Sequence, residues 1–222
     1  MKQINAVVLG ATGMIGNALI HQLLQDPAFI SVTALVRSKL NMEHPKLHVE
    51  SVDFNNEEMF RQKLGKCDCI FSCIGTTMKN VKGNKALYRQ IDFDIPVNAA
   101  KFGIENGFQQ FILVSSVGAN SRSGNFYLKL KGEIEEAIAA LTYKSIHIFQ
   151  PSMLLGHREE NRSGENVIQG TMQAISFLLM GSLNKYKAIQ GNDVAKAMAT
   201  AVKTDKAGVH RYTYKEIKQL SL

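Results

Sequence analysis

Ile4-Asn-Ala-Val-Val-Leu9, followed at once by Gly10-Ala11-Thr12-Gly13-Met14-Ile15-Gly16, is the stretch on which the reading of this 222-residue chain turns. An apolar run ends in glycine, glycine recurs at every third position, and a helical pattern runs from about Met14 to Gln25, where Asp26-Pro27 stops it. A strand, a glycine turn and a helix in immediate succession have the physics of a pyrophosphate cradle. One glycine permits the tight turn, another lets the backbone approach the phosphates, and the last allows helix to pack closely on strand. The helix N-terminus adds unpaired N–H groups and the positive end of its dipole. Glycine spacing alone is weak evidence, and its place at the first strand–helix junction is what makes it strong.

Outward from that stretch, short apolar strands alternate with longer helices. Strands are expected over residues 30–36, 47–52, 70–74, 111–114 and 145–149, and helices near 57–64, 86–105 and 127–140, with Gly107 as the stop of the second. This alternation implies an α/β fold, a Rossmann-type doubly wound parallel sheet covered on both faces, with ligands at the carboxyl ends of the strands. In this reading residues 1–150 form the dinucleotide-binding domain. Residues 151–222 form a small C-terminal cap packed on it against the strand ends, with helices near 167–180 and 193–202 and a short strand near 209–212.

Composition narrows the setting. The chain is 45% hydrophobic and 20% charged, as ordinary globular proteins are, and no apolar run approaches the roughly 17–25 residues needed to span a bilayer. The apolar N-terminal stretch is broken by glycines, so neither a signal peptide nor a membrane association is expected. Cys67, Cys69 and Cys73 are too few and too crowded for a disulfide framework, which suits a reducing cytosol, and a cytoplasmic location is expected. They read better as part of a buried strand, with Cys69 and Cys73 on one side, than as metal ligands. The formal charge of +7 is dispersed. Its one concentration, Lys79, Lys82, Lys85 and Arg89, reads as a solvated face, and no nucleic-acid partner is expected.

Two further motifs carry chemistry. At the end of the second strand, Arg37-Ser38 stands where a cofactor site specific for NAD would place an acid, and no acidic residue occurs between Asp26 and Glu43. Arg37 offers a planar cation to a 2′-phosphate and Ser38 a hydroxyl, so NADP(H) is expected. Later, Ser115-Ser116 ends a strand, and the next helix carries Tyr127 and Lys131 one turn apart on one face. A nearby ammonium stabilises tyrosinate, which equips Tyr127 for proton exchange with a carbonyl or alcohol oxygen, and a serine hydroxyl orients that oxygen. Lys131 also serves to hydrogen-bond a cofactor ribose. Tyr-x-x-x-Lys by itself is a weak signal: Tyr214/Lys218 repeats it in the tail, where it reads as incidental.

Taken together, Gly10-x-x-Gly13-x-x-Gly16, Ser116 and Tyr127-x-x-x-Lys131, in this order and spacing, resemble the atypical and extended short-chain dehydrogenase/reductases. Within them the chain is most similar to the branch of the human HIV Tat-interacting protein and its bacterial NAD(P)-binding oxidoreductase relatives. Stretches 52–54, 73–77, 113–119, 127–133, 150–155 and 158–165 carry this resemblance across nearly the whole chain. It implies that Asp53, with Phe54 beside it, meets the adenine, that Ile74 and Gly75 pass the adenine ribose and pyrophosphate, and that Pro151 and Met153 lie beside the nicotinamide carboxamide. It aligns Ser116, rather than Ser115, with the catalytic hydroxyl, and it assigns no role to residues 158–165.

The resulting expectation is an NADPH-dependent oxidoreductase acting on a small carbonyl, enone or quinone-like substrate with Ser116, Tyr127 and Lys131. Only ten residues separate Ser116 from Tyr127, and the tail is short, which leaves little room for a nucleotide-sugar. The alternative is a non-catalytic NADP(H)-sensing regulator that acts through a protein partner. Oligomeric state is left open.

Overall fold

The computed structural model describes residues 3–156, 181–204 and 206–222. Strands β1 (Ile4–Leu9), β2 (Phe29–Val36), β3 (Leu47–Ser51), β4 (Cys69–Ser72), β5 (Gln110–Val114) and β6 (Ser145–Phe149) alternate with helices. These are α1 (Met14–Gln25), α2 (Glu57–Leu64), α3 (Lys85–Arg89), α4 (Ile95–Glu105) and α5 (Phe126–Ala139). Strand β7 (Leu154–Leu155), a 3-10 helix (Gly181–Tyr186), strand β8 (Ile189–Gln190), helix α6 (Gly191–Lys203), strand β9 (Gly208–Tyr212) and helix α7 (Tyr214–Leu220) complete the described elements. Seven of these strands form one parallel sheet in the order β3-β2-β1-β4-β5-β6-β9, while β7 and β8 pair in a separate ribbon. Consecutive strands leave β1 in opposite directions, so a crevice opens between the carboxyl ends of β1 and β4.

Both faces of the sheet are covered, which is why its central strands are apolar throughout. Along β1, Ala6 and Val8 join the core beneath α1 and α6, while Val7 and Leu9 join the core beneath α2, α4 and α5. All residues of β4 and β6 are buried. The edge strand β3 is polar and half-exposed, and Glu50 on it pairs with Lys63 at 2.6 Å. No described helix is long and apolar enough to cross a membrane.

Local signals place most boundaries. Asp26 caps α1, and after α4 Gly107 takes φ +87°, with Gly107 N–H donating to Ile104 O and Phe108 N–H to Gly103 O, a Schellman stop. Three elements differ from expectation. Strand β4 ends at Ser72 rather than residue 74, because Cys73 N–H donates to Leu9 O and the chain then turns beneath Gly10. The helical run over 86–105 is interrupted by a π turn, Gln90–Asp94. The tail does more than cover strand ends: β9 extends the main sheet beside β6, and α6 packs on α1 within the same core. The helix expected near 167–180 and the segment 158–165 lie outside the described residues.

His147 on β6 is fully buried, its Nδ1 2.9 Å from the Tyr212 hydroxyl and its ring stacked near His210 and Tyr212. Burial, reinforced by positive charge on His210 and Lys206, pushes His147 down to about 4 from its ordinary 6.5. The native state therefore binds fewer protons than the unfolded chain between those values, and stability present above pH 6.5 is lost as pH falls towards 4. The loss from this residue is on the order of 3 kcal/mol. Urea denaturation at pH 7 and pH 4.5 measures it, and His147→Phe flattens the difference.

Candidate functional site

The glycine turn after β1 is held by backbone. Gly10 has φ +80°, its carbonyl accepts from Gly13 N–H at 3.0 Å, and a Cβ at Gly10 would lie 2.6 Å from the Cys73 carbonyl. At Gly16 a Cβ would come within 2.1 Å of the Gly10 oxygen, so both positions require glycine. Helix α1 begins here with no side-chain cap and no acid in its first turn, which suits an anion at its N-terminus. Thr12 and Gly13 are exposed at the turn. The Ile15 side chain lies in the core, and that of Met14 packs towards Gly156 and Gly191, so the contribution of these two to the turn is backbone.

At the carboxyl ends of β2 and β3 a cavity of about 400 Å³ is lined by Arg37, Val52, Asp53, Phe54, Asn55, Leu87, Gln90 and Ile91, among others. Arg37 is exposed at the end of β2 with Ser38 next to it, and it makes no ion pair among the described residues. Asp53 uses one carboxylate oxygen to accept from Asn55 N–H at 3.0 Å, while Gln90 Nε2 donates to Asn55 Oδ1 at 2.7 Å across the cavity wall. Phe54 is braced edge-on by Phe60. The uncapped helix start suits an anion, and the cavity offers a carboxylate and an aromatic wall of the kind a purine requires.

From β4 the chain runs through half-buried Ile74 and exposed Gly75 to Thr76. Thr76 N–H donates to Asp92 Oδ1 at 2.7 Å, and the Tyr88 hydroxyl donates to Thr76 O at 3.1 Å. Asp92 lies in the π turn, is 1% exposed, and its second oxygen forms an ion pair with Lys131 Nζ at 3.1 Å. Burial pushes the Asp92 carboxyl above the usual range, with Lys131 and the Thr76 N–H opposing. Sequence reasoning missed this residue. A signal was present, since Asp92 stands four residues after Tyr88 and three before Ile95 on the buried stripe of the helix.

On the opposite side, Glu135 of α5 gathers three partners. Ser115 Oγ donates to its Oε1 at 2.6 Å, Gln150 Nε2 to both oxygens at 2.8 and 3.0 Å, and Arg211 Nε to Oε2 at 3.2 Å. Ser115 is thus occupied in holding β5 to α5. Ser116 is half-buried, and its Oγ makes only a long 3.4 Å contact to Val117 O. Val117 N–H donates to Pro151 O, which brings Pro151 alongside, and Met153 O accepts from Ile189 N–H. Tyr127, in the first turn of α5, is 39% exposed, and Lys131 Nζ lies 6.0 Å from its ring centre. Gly132 allows the 117–123 loop onto this helix, since a Cβ there would lie 2.1 Å from Ser121 N. The second Tyr-x-x-x-Lys match is structural: Lys218 pairs with Asp193 at 2.8 Å, pinning α7 to α6.

Over residues 10–205 the sequence matches the NAD(P)H-binding family. The chain belongs to the NAD(P)H-binding family. Among curated relatives of this member, Protein HTATIP2 of Rattus norvegicus is 32% identical over 168 residues, 74% of this chain and 69% of that one. Protein FMP52, mitochondrial, of Eremothecium gossypii is 30% identical over 223 residues, 97% and 96% of the two chains. The resemblance to the Tat-interacting branch is thereby borne out. Among solved structures, the Bordetella bronchiseptica enzyme WbmH in complex with NAD+ superposes with a TM-score of 0.73 at 15% identity, covering 99% of this chain and 79% of that one. A UDP-N-acetylglucosamine 4-epimerase from Methanobrevibacter ruminantium gives 0.71 at 20% identity, covering 96% and 77%. At these identities the likeness shows the Rossmann-type fold. One expectation is corrected: the FMP52 relatives are named mitochondrial, which overturns the cytoplasmic assignment drawn from the cysteines. Cysteines without disulfides fit any reducing compartment and do not distinguish among them.

The two serines separate experimentally. Ser115→Ala leaves a buried carboxylate short of a donor and lowers stability by about 1–3 kcal/mol, whereas Ser116→Ala changes it by less than about 0.5 kcal/mol. Urea denaturation of both variants checks this.

Proposed function

We propose that this chain is an NADPH-dependent oxidoreductase that reduces a small carbonyl, enone or quinone-like substrate through Ser116, Tyr127 and Lys131. One observation carries the reading. Of the two adjacent serines, only Ser116 keeps its hydroxyl outside the Glu135 network, at the same carboxyl end of the sheet from which α5 starts with the exposed Tyr127 in its first turn. When bound, a reduced nicotinamide supplies hydride. Tyr127 donates its phenolic proton to the substrate oxygen, Ser116 Oγ–H orients that oxygen, and the Lys131 ammonium supports the phenol and holds the cofactor ribose. Proton transfer of this kind contributes roughly 10²–10⁴ in rate.

Preference for NADPH rests on Arg37, an exposed guanidinium at the rim of the cavity, with no acid from residue 27 to 42 to accept ribose hydroxyls. The second reading is a non-catalytic NADP(H)-responsive regulator with a protein partner, which would use the same cofactor site without turnover.

Two variants test the proposal. Tyr127→Phe lowers NADPH-dependent turnover on a panel of quinones, dicarbonyls, aldehydes and ketones by about 10² or more. Absence of wild-type turnover in protein that binds NADPH moves the regulator reading ahead. Arg37→Ala weakens NADPH binding by about tenfold, equivalent to roughly 1.4 kcal/mol, and leaves NADH binding unchanged in fluorescence titrations.

A further inference from the structure

We propose that Asp92 is a positioning residue of this site, a buried counter-charge that pins the Lys131 ammonium between helix α5 and the loop after β4. The inference rests on the assignment of Lys131 to the reactive set. Its geometry is independent of that assignment. The Lys131 and Asp92 side chains are 6% and 1% exposed, and Nζ stands 3.1 Å from Oδ2. A cation so enclosed has given up its hydration and needs an opposite charge beside it. Ion pairs removed from water in this way are weak contributors to stability, and loss of one partner leaves an uncompensated buried charge.

The placement of Asp92 adds to the argument. Its other oxygen holds Thr76 N–H at 2.7 Å, one residue past Gly75. A single carboxylate thus joins the backbone leaving β4 to the helix that carries Tyr127. The π turn supplies the register: Gln90 and Ile91 line the cavity, and Asp92, the next residue, turns inward. Such turns recur at functional sites. Among the described residues, the groups facing the pair are few. Helix α5 brings Lys131 and Tyr127, the loop after β4 brings the Thr76 backbone, and Tyr88 of α3 is directed to the Thr76 carbonyl. Arg89 and Glu133 pair with each other at 2.5 Å on the outer side.

Asp92→Asn is the discriminating variant, since its amide oxygen still accepts from Thr76 N–H while the charge is lost. NADPH titrations at pH 6.5 and pH 9 are expected to show the dissociation constant of Asp92→Asn rising with pH about tenfold more than that of the wild type. A role confined to holding the loop predicts parallel pH dependence, and parallel curves overturn the proposal. Carbon NMR of the Asp92 carboxyl gives a second test that needs neither turnover nor cofactor. In Lys131→Met, with the opposing ammonium gone, the carboxyl titrates about one unit or more higher than in wild type. An unchanged titration overturns the pair whatever the binding data show. If the wild type binds no NADPH, the functional reading fails, and the carboxyl titration alone decides the role of Asp92.

Discussion

The contact of backbone on backbone at Gly10 is the constraint from which the rest of the site follows. The turn after β1 lies so close to the end of β4 that a side chain at Gly10 would collide with the Cys73 carbonyl, and one at Gly16 with the Gly10 oxygen. This approach sets where α1 starts and where its unpaired N–H groups point. It also ends β4 at Ser72 and sends Ile74 and Gly75 along the crevice between the two strands. The path of the next residues is inherited from that exit, and Thr76 arrives where Asp92 can bind it.

Two buried carboxylates then tie the helical layers to the strand ends. Asp92 joins the loop after β4 to α5, and Glu135, one turn beyond Lys131, joins α5 to β5, to the chain after β6 and to β9. In a low-dielectric interior each such group is costly unless its oxygens are satisfied, so each enforces the geometry of its partners. Helix α5 is therefore held on both sides of the turn bearing Tyr127 and Lys131. The same logic explains why Ser115 and Ser116, identical and adjacent, differ in role. One is a donor to a buried carboxylate, and the other keeps its hydroxyl outside that network.

Much of this was legible locally. The Gly10–Gly16 turn, the stop at Asp26-Pro27, the Gly107 terminus and the one-turn spacing of Tyr127 and Lys131 are short-range features, and each appears where its residues indicate. So was the kinship with the Tat-interacting branch, which is carried by motifs of a few residues each. Asp92 and Glu135 were not foreseen, although their helical phase placed them on buried stripes, because an acid on such a stripe has meaning only once its partner is known. Compartment was misread from three cysteines, whose chemistry reports redox state and not address.

The sequence by itself determined the parallel α/β fold, the position of the glycine turn after β1 and the identity of the Ser116, Tyr127 and Lys131 candidates. Strand period, helix period and glycine requirement are all decided within a few residues of chain. Only the tertiary structure decided that β9 closes the sheet beside β6, that Glu135 claims Ser115, and that Lys131 is held by a carboxylate 39 positions earlier. Those facts depend on which surfaces are driven together when apolar area leaves water. The pairing of a buried charge is settled by that packing, and no local pattern of residues encodes it.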